Sequence, residues 1–345
     1  MAHSCHQGIA VSSGTAALHL ILAALEIPRG DEVLIPAYGC PAVDAAVLTA
    51  GLTPVHVDID PRSGCISPVA VASAVGPRSA AVIAVHFAGA PADLPSLDRI
   101  CSRRGLALVE DACLAPGATW KGRSVGSWGV ATAFSMGWRK PISVGEGGVI
   151  VTRDAILASR MRRLRCCGQD PDSGELRTAS LNFRLSGWLA ALALPQLRER
   201  DVHRLQRGAR ATELSRRLAE LPSVEPLHAP DRWEGHAWGQ YWLLIDGDSC
   251  PRSAEAFADL CQAAGAPVVR GWSTPNRLHP VYARDRANTW LKERDASLPP
   301  DWYETQETSV ADDFAFHRAC LLGSDVLRCS RERVGRIGDA IRQSL

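Results

Sequence analysis

The chain lacks long apolar runs, blocks of like charge, internal repeats and low-complexity tracts. Of its 345 residues, 38 are Lys or Arg and 37 are Asp or Glu, which gives a formal net charge of +1. No apolar run approaches the roughly 20 residues of a membrane-spanning helix, and no basic stripe favours nucleic acid. With 46% apolar residues, the chain is long enough for a large core and two domains. We therefore expect a globular protein that binds neither membrane nor nucleic acid.

The chain has eleven cysteines, but they do not occur in the paired spacings that are typical of metal ligands. Cys166 and Cys167 are adjacent, which suits neither a zinc knuckle nor an easy disulfide. The first residues, 1–6, show no basic segment followed by an apolar one, so we expect no signal peptide. These features predict a cytoplasmic protein with reduced thiols, no metal, and cysteines that act mostly as small apolar core residues.

The first half of the chain alternates helix-like and strand-like segments. The apolar spacing predicts helices over 16–25, 43–50, 68–75 and 94–104, and strands over 32–36, 54–58, 80–85 and 106–109. This alternation predicts an α/β fold with a mostly parallel sheet and helices on both faces. In such sheets chemistry gathers at the carboxyl ends of the strands. Tyr38, His86 and Asp111 all lie at such predicted ends.

The second half of the chain has a different pattern. It contains a polar loop over 168–179, a helical stretch over 189–221, a strand over 241–245, helices over 254–264 and 330–343, and an irregular segment over 281–312. These elements fit a smaller α+β domain. We place the large domain at residues 1–195 and the small C-terminal domain at residues 196–345.

Lys140 lies on a loop between two predicted strands, 130–134 and 149–151. The loop also carries Ser135 and the run Gly145-Glu146-Gly147-Gly148, whose glycines allow the backbone to turn sharply. A lysine can form a Schiff base, and a buried one can act as a base near neutral pH. Taken alone, Lys140 is equally well explained as a solvated loop lysine.

Three further features bear on Lys140. Ser13-Gly14-Thr15 begins a predicted helix and provides either a phosphate cradle or a plain N-cap. Asp111 ends a buried strand and can hydrogen-bond a protonated ring nitrogen or cap the next helix. Ser135 lies five residues before Lys140, close enough for its hydroxyl to reach a phosphate. A lysine, a strand-end aspartate and phosphate donors are the parts that a pyridoxal 5'-phosphate (PLP) site requires.

Seven motifs occur in an order that resembles a known family. They are Ser13 to Leu20, Gly30 to Val33, Val57 to Asp60, Val85-His86, Glu110 to Ala112, Phe134-Ser135 and Gly145 to Gly148. This order resembles the DegT/DnrJ/StrS family of fold-type-I PLP enzymes, which are mostly sugar aminotransferases. The resemblance spans most of residues 10–200, including the segment 181–186, and is weaker over 236–241 and 275–280.

The resemblance implies roles for residues at the matching positions. Lys140 would form the Schiff base with PLP and act as the base for proton transfer, and Asp111 would pair with the pyridine nitrogen. Gly14, Thr15 and Ser135 would bind the cofactor phosphate. Asn182 would reach the cofactor of the neighbouring subunit, which implies a homodimer with shared active sites.

Three departures from the family pattern bear on the reaction. Cys40 stands where the family usually stacks an aromatic residue on the pyridine ring, so Tyr38 is a candidate to replace it at the cofactor. Leu114 stands where the family often has a glutamine. Only twelve residues precede Ser13, where family members usually have a few dozen.

The expected function is amination of a keto sugar or related keto intermediate, with Glu or Gln as the expected donor, in the biosynthesis of antibiotics, other secondary metabolites or cell-surface sugars. Two alternatives stay open, namely a PLP enzyme of another reaction type, such as a lyase, and a catalytically impaired PLP-binding paralogue. His86 is either a cofactor or substrate contact or a structural histidine. Arg270, Trp272, Arg277 and His279 either line the substrate entrance or belong to a solvated loop.

Overall fold

Two main β-sheets organise the chain in its computed structural model, which describes residues 7–227, 235–246, 253–282 and 301–345. The strands are β1 (Gln7–Val11), β2 (Glu32–Pro36), β3 (Thr53–Val57), β4 (Ser79–Val85), β5 (Ala107–Asp111), β6 (Thr119–Trp120), β7 (Arg123–Ser124), β8 (Ala131–Ser135), β9 (Gly148–Thr152), β10 (Val224–Pro226), β11 (Tyr241–Ile245), β12 (Val269–Arg270) and β13 (Ala319–Leu322). Within the described residues, β6 and β7 form a separate hairpin.

The helices lie between these strands and after them. They are α1 (Gly14–Ala24), α2 (Ala42–Thr49), α3 (Pro68–Ala74), α4 (Leu94–Arg104), α5 (Ala155–Arg165), α6 (Gly187–Arg198), α7 (Arg200–Leu218), α8 (Ala254–Ala263), α9 (Ser309–Asp313) and α10 (Arg331–Gln343). In the described ranges we find no helix with the length and hydropathy needed to cross a bilayer.

The large sheet has the strand order β1-β9-β8-β5-β4-β2-β3. Its strands from β8 to β3 run parallel to their neighbours, and β9 is antiparallel to both β8 and β1. Successive residues of β2 point to opposite faces, so Leu34 belongs to one apolar core while Val33 and Ile35 belong to another. The predicted mostly parallel sheet with helices on both faces is thereby confirmed.

The small sheet is antiparallel and has the order β10-β11-β13-β12. One core of buried apolar side chains joins this sheet to α7, α8 and α10. All its strands come from residues after 223. The predicted division between residues 195 and 196 falls inside α6 and stays a proposal.

The structure corrects the interpretation of two segments. The helical stretch over 189–221 is not continuous, because the chain leaves helical geometry at Glu199, between α6 and α7. Pro195 lies in the last turn of α6 and cannot donate the helical hydrogen bond that its position requires. The segment predicted to be irregular, 281–312, contains the start of α9, and its part over 283–300 lies outside the described residues.

A buried polar network joins the large sheet to the C-terminal half of the chain. Asp44 on α2 accepts hydrogen bonds from His56 Nε2 at 2.7 Å, from Asn276 Nδ2 at 2.6 Å and from the Tyr282 hydroxyl at 2.5 Å. Gln306 Oε1 also accepts from the His56 backbone N–H at 2.9 Å. One carboxylate therefore fixes three donors from separate parts of the chain, and removing it leaves buried polar groups without that acceptor.

We expect Asp44→Ala to lower the free energy of unfolding by about 3 kcal/mol. The partners of Asp44 would stay buried without their acceptor, so the cost of removing them from water would no longer be compensated. Urea denaturation followed by circular dichroism measures the change. Asp259→Ala is the matched control, since Asp259 lies exposed on α8. Equal loss of stability in the two variants would contradict the role assigned to the network.

Candidate active site

The carboxyl ends of two adjacent parallel strands, β5 and β8, define the floor of the site. Asp111 is the last residue of β5 and lies opposite Ala133 of β8, and Ser135 ends β8. Asp111 is buried, and its Oδ1 accepts a hydrogen bond from the Cys113 N–H at 3.0 Å. This bond fixes a carboxylate at the strand end, which is the position predicted from the sequence.

The first turn of α1 faces the same strand ends. Ser13 caps this helix, because its Oγ accepts from the Ala16 N–H at 3.0 Å and its carbonyl accepts from the Ala17 N–H at 3.0 Å. The N–H groups of Gly14 and Thr15 belong to the first turn, where helical N–H groups have no partner within the helix. Thr15 is exposed, so its hydroxyl and these N–H groups can bind an anion such as phosphate.

Gly14 allows α1 to approach the strand ends closely. A Cβ atom at this position would lie 2.8 Å from Cys113 Sγ and 2.8 Å from Ser135 Cβ. Gly148 plays a similar part on β9, since its Cβ would lie 2.4 Å from the carbonyl oxygen of Ser13. The backbone of the helix start therefore lies directly beside the Ser135 hydroxyl, as the phosphate cradle requires.

Lys140 lies on a loop that closes through its own backbone. The Met136 N–H donates to the Gly147 carbonyl at 2.7 Å, and the Trp138 N–H donates to the Gly145 carbonyl at 2.7 Å. The Lys140 N–H donates to the Gly137 carbonyl at 3.2 Å. Lys140 itself is half-buried, and its role at the cofactor stays a prediction.

Two thiols report on the electrostatics around Lys140. Burial raises the pKa of Cys113 well above its usual value, and the negative charge of Asp111 raises it further while the charge of Lys140 opposes this. Cys40 is exposed, yet loss of water around its thiol raises its pKa, and Lys140 again acts in the opposite direction. Since both thiols interact with Lys140 and Asp111, the structure brings these four side chains into one region.

A buried hydrogen-bonded pair, Glu110 and His86, supports the strand that carries Asp111. Glu110 accepts from His86 Nε2 at 3.3 Å, from the N–H groups of Gly126 and Trp128 at 2.9 Å each and from the Gly129 N–H at 3.0 Å. Burial raises the pKa of Glu110, but the hydrogen bonds from His86 and from the backbone N–H groups outweigh it and hold the pKa below its usual value.

His86 is a structural residue in this arrangement. Its Nδ1 accepts from the Ala92 N–H at 3.0 Å, while Nε2 faces Glu110. Both ring nitrogens are therefore occupied, and the side chain is buried. Of the two interpretations offered by the sequence, the structure favours the structural histidine.

Tyr38 does not join the Lys140 group. Its side chain is fully buried, and its ring lies 5.7 to 6.0 Å from those of Phe87, Trp242, Trp272 and Phe314. The pairs with Trp242, Trp272 and Phe314 are edge-on, which is a favourable arrangement of aromatic rings, and the pair with Phe87 is tilted. This packing between the two sheets argues against the proposed stacking of Tyr38 on a pyridine ring.

Asn182 lies apart from the Lys140 group within one chain. It is exposed, and its Oδ1 accepts from the Arg184 N–H at 3.2 Å. Among the contacts of the described residues, none links its side chain to Lys140, Asp111 or Ser135. Its role at a neighbouring subunit's cofactor therefore stays a proposal.

The residues considered for the substrate entrance have structural partners. Arg270 donates to the carbonyl oxygens of Ala315 and Phe316, and Trp272 stacks on Trp242 at 5.2 Å. Arg277 donates to Thr308 Oγ1 at 2.8 Å and to Asp312 Oδ2 at 2.5 Å. His279 differs from these, because its buried Nε2 has no hydrogen-bond partner among the described residues.

Sequence reasoning missed Cys113 and Glu110 as parts of the site. Cys113 follows Asp111 by two residues, so its place beside the strand end could have been inferred from the motif itself. The partners of Glu110 come from a loop that is 16 to 19 residues away in the chain, and no local pattern reveals them.

The fold and these side chains define a class of protein, the PLP-dependent enzymes with a strand-end aspartate and a loop lysine. More specifically, the chain belongs to the DegT/DnrJ/EryC1/StrS aminotransferase family, which it matches over residues 2–299. Members of this family are PLP-dependent aminotransferases. The family resemblance, the enzyme class and the cofactor predicted from the sequence are thereby confirmed.

Solved structures support the same assignment. DesV from S. venezuelae is 31% identical, with a TM-score of 0.84 over 97% of this chain and 84% of its own. The 3-amino-5-hydroxybenzoic acid synthase is 26% identical, with a TM-score of 0.87 over 99% of this chain and 87% of its own. DesI is 27% identical, with a TM-score of 0.83 over 99% of this chain and 81% of its own.

The residues present fit PLP. The close approach at Gly14 forms a cradle that a Cβ atom would fill, and it gathers the helix N–H groups and the Ser135 hydroxyl that a phosphate needs. Asp111 can hold a proton on a ring nitrogen, and Lys140 supplies the amine. Of the two other lysines in the chain, Lys121 lies exposed on the β6–β7 turn and Lys292 lies outside the described residues.

We expect the Glu110 pair to make stability depend on pH in a defined direction. Because the folded-state pKa of Glu110 is lowered, its contribution is complete above the unfolded value of about 4.3 and is lost as the pH falls through the folded value. Glu110→Gln should cost about 2 kcal/mol at pH 7 and should weaken the loss of stability below pH ~4.3.

Urea denaturation across this pH range tests the expectation, with Glu225→Gln as the control because Glu225 is exposed on β10. Parallel stability curves for wild type and Glu110→Gln would contradict it.

Proposed function

We propose that the protein transfers an amino group to a keto sugar or a related keto intermediate, with glutamate or glutamine as the donor. The observation that carries the proposal is the half-buried Lys140, whose charge acts together with that of Asp111 on the Cys113 thiol. That thiol lies beside the start of α1. These are the groups that bind PLP and move a proton during transamination.

The compared structures support a keto substrate of this kind. DesI was solved in the presence of its TDP-sugar product, which favours a nucleotide-linked sugar. The 3-amino-5-hydroxybenzoic acid synthase has a name that points to a carbocyclic compound, so the wider class of keto intermediates is retained. The proposal includes a role in the biosynthesis of antibiotics, other secondary metabolites or cell-surface sugars.

The residues of the site have different tasks in this proposal. PLP, when bound, supplies an electron sink for the bonds at the substrate carbon. Asp111 holds a proton on the ring nitrogen, and the first turn of α1 with Ser135 binds the phosphate. Lys140 Nζ binds the cofactor. It would also carry the proton between the substrate carbon that bears the nitrogen and the cofactor carbon bonded to that nitrogen.

The position of Cys40 does not favour another reaction type. Its pKa is raised, so its thiol is protonated at neutral pH and supplies no second base or thiolate nucleophile. Leu114 also offers no titratable group. Both departures change the surface beside the cofactor while Lys140 and Asp111 remain, so we favour transamination over lyase chemistry.

We further propose a homodimer with shared active sites. Large apolar side chains are exposed around α6 and the start of α7, with Trp188 85% exposed; the others are Leu181, Leu192, Leu194, Leu197, Val202 and Leu205. An exposed apolar surface of this kind marks an interaction site. It lies next to Asn182, so a second copy packed there would place Asn182 near a neighbouring active site.

We expect Lys140→Ala to abolish turnover. The variant should also lack the absorbance band that PLP gains on binding covalently, because alanine has no amine that could form that bond. Lys121→Ala is the matched control and should keep both. Absorbance spectroscopy and mass spectrometry of the aminated product give the two readouts. A wild-type protein that shows no band with added PLP would refute the proposal.

We expect subunit mixing to reveal the shared sites. Lys140→Ala and Asn182→Ala homodimers should each be impaired, but exchange of their subunits forms one intact site per mixed dimer. Random exchange should restore about a quarter of wild-type activity.

Mixing Lys140→Ala with Thr15→Ala provides the control, since Thr15 and Lys140 act in the same subunit and no intact site forms. No recovery in the first mixture, under conditions where mass spectrometry shows mixed dimers, would rule out sharing through Asn182.

A further inference from the structure

Three successive carbonyl groups of the lysine loop are held by one turn of the C-terminal half. The Ser324 hydroxyl donates to the Arg139 carbonyl at 3.0 Å. Arg328 Nη2 donates to the Lys140 carbonyl at 3.0 Å and also to the Pro141 carbonyl. The large-domain loop that presents Lys140 is therefore attached to residues nearly 190 positions further along the chain.

The backbone at this point of the loop has a conformation that needs support. Arg139 has a φ of +67°, in the left-handed region that residues other than glycine seldom adopt. Such a conformation costs about 1 kcal/mol or more and persists only where its surroundings hold it. The bond from Ser324 to the carbonyl of this residue provides such a hold directly before Lys140.

The turn that provides these donors is itself rigidly placed. Val326 and Leu327 are buried in the core of the small sheet, and Ser324 is buried as well. Arg210 on α7 donates from Nε to the Cys329 carbonyl at 3.1 Å. The turn is thus tied to α7 and to the small sheet, so its position follows that of the C-terminal half as a whole.

We propose that Ser324 and Arg328 are positioning residues that orient Lys140 by holding the backbone of its loop, and that they link the placement of the C-terminal half to the placement of the Lys140 amine. The proposal rests on the function proposed for Lys140. Neither side chain is needed to touch substrate or cofactor, because both act through the carbonyl groups on either side of the lysine.

The first test measures the loop itself and needs neither cofactor nor activity. Hydrogen–deuterium exchange with mass spectrometry should show faster exchange in the peptide over 136–147 for Ser324→Ala and Arg328→Gln, by about tenfold. Arg333→Gln is the matched control, because Arg333 is exposed on α10 and loses the same charge. Arg328→Lys retains a cationic donor and should recover part of the protection.

The second test separates positioning from substrate binding. In the cofactor-loaded enzyme, Ser324→Ala and Arg328→Gln should lower kcat by about tenfold or more and leave the KM for the keto substrate nearly unchanged. The pH at which the absorbance of the bound cofactor changes should shift in the same variants. Arg328→Lys should restore part of kcat.

Two results would overturn the proposal. One is exchange over 136–147 equal to that of wild type in both variants. The other is a raised KM with unchanged kcat, which would show that Arg328 binds substrate. If Arg328→Gln fails to fold, Ser324→Ala and Arg328→Lys carry the same comparison. Failure of the proposed function would be seen separately, because wild-type protein with added PLP would then show no cofactor band.

Discussion

The close approach of α1 to the ends of β5 and β8 is the constraint on which the site depends. Because Gly14 has no Cβ, the helix start can lie against Cys113 and Ser135, where a side-chain atom would be 2.8 Å from both. This contact brings helix N–H groups, a hydroxyl and the Asp111 carboxylate to one edge of the sheet. A parallel sheet provides the edge, and the missing side chain allows the helix to reach it.

Several hydrogen bonds stabilise the buried charge of Glu110 near that edge. Glu110 is completely buried, yet it remains ionised because His86 and several backbone N–H groups donate to it. Its neighbour Asp111 accepts one hydrogen bond from a backbone N–H group and can accept a further hydrogen bond from another donor. Two adjacent carboxylates on one strand therefore serve different purposes, and their hydrogen-bond partners decide which one is structural.

The sequence predicted the elements with a clear local pattern in both halves of the chain, including β11, α8 and α10, and missed several strands that lack one. Local spacing located β2 and α4 at their observed bounds, because each has a continuous apolar pattern and clear end signals such as Gly105. It missed β1, β10, β12 and β13, which gain stability from pairing with strands that are distant in the chain. The site followed the same rule, since Lys140 and Asp111 lie in motifs, whereas the packing of Tyr38 among rings from the other half has no local signature.

The same distinction explains why Lys140 cannot be understood from its motif alone. The motif places a lysine after β8, and the glycines of the loop let the backbone turn. The left-handed Arg139 and the carbonyl groups around Lys140 are instead held by Ser324 and Arg328, which fold with the small sheet. A loop with an unfavourable backbone conformation next to its reactive residue needs contacts from outside the loop to stabilise it. In this chain the support comes from the other half of the molecule, so the geometry of the amine depends on how the two halves pack.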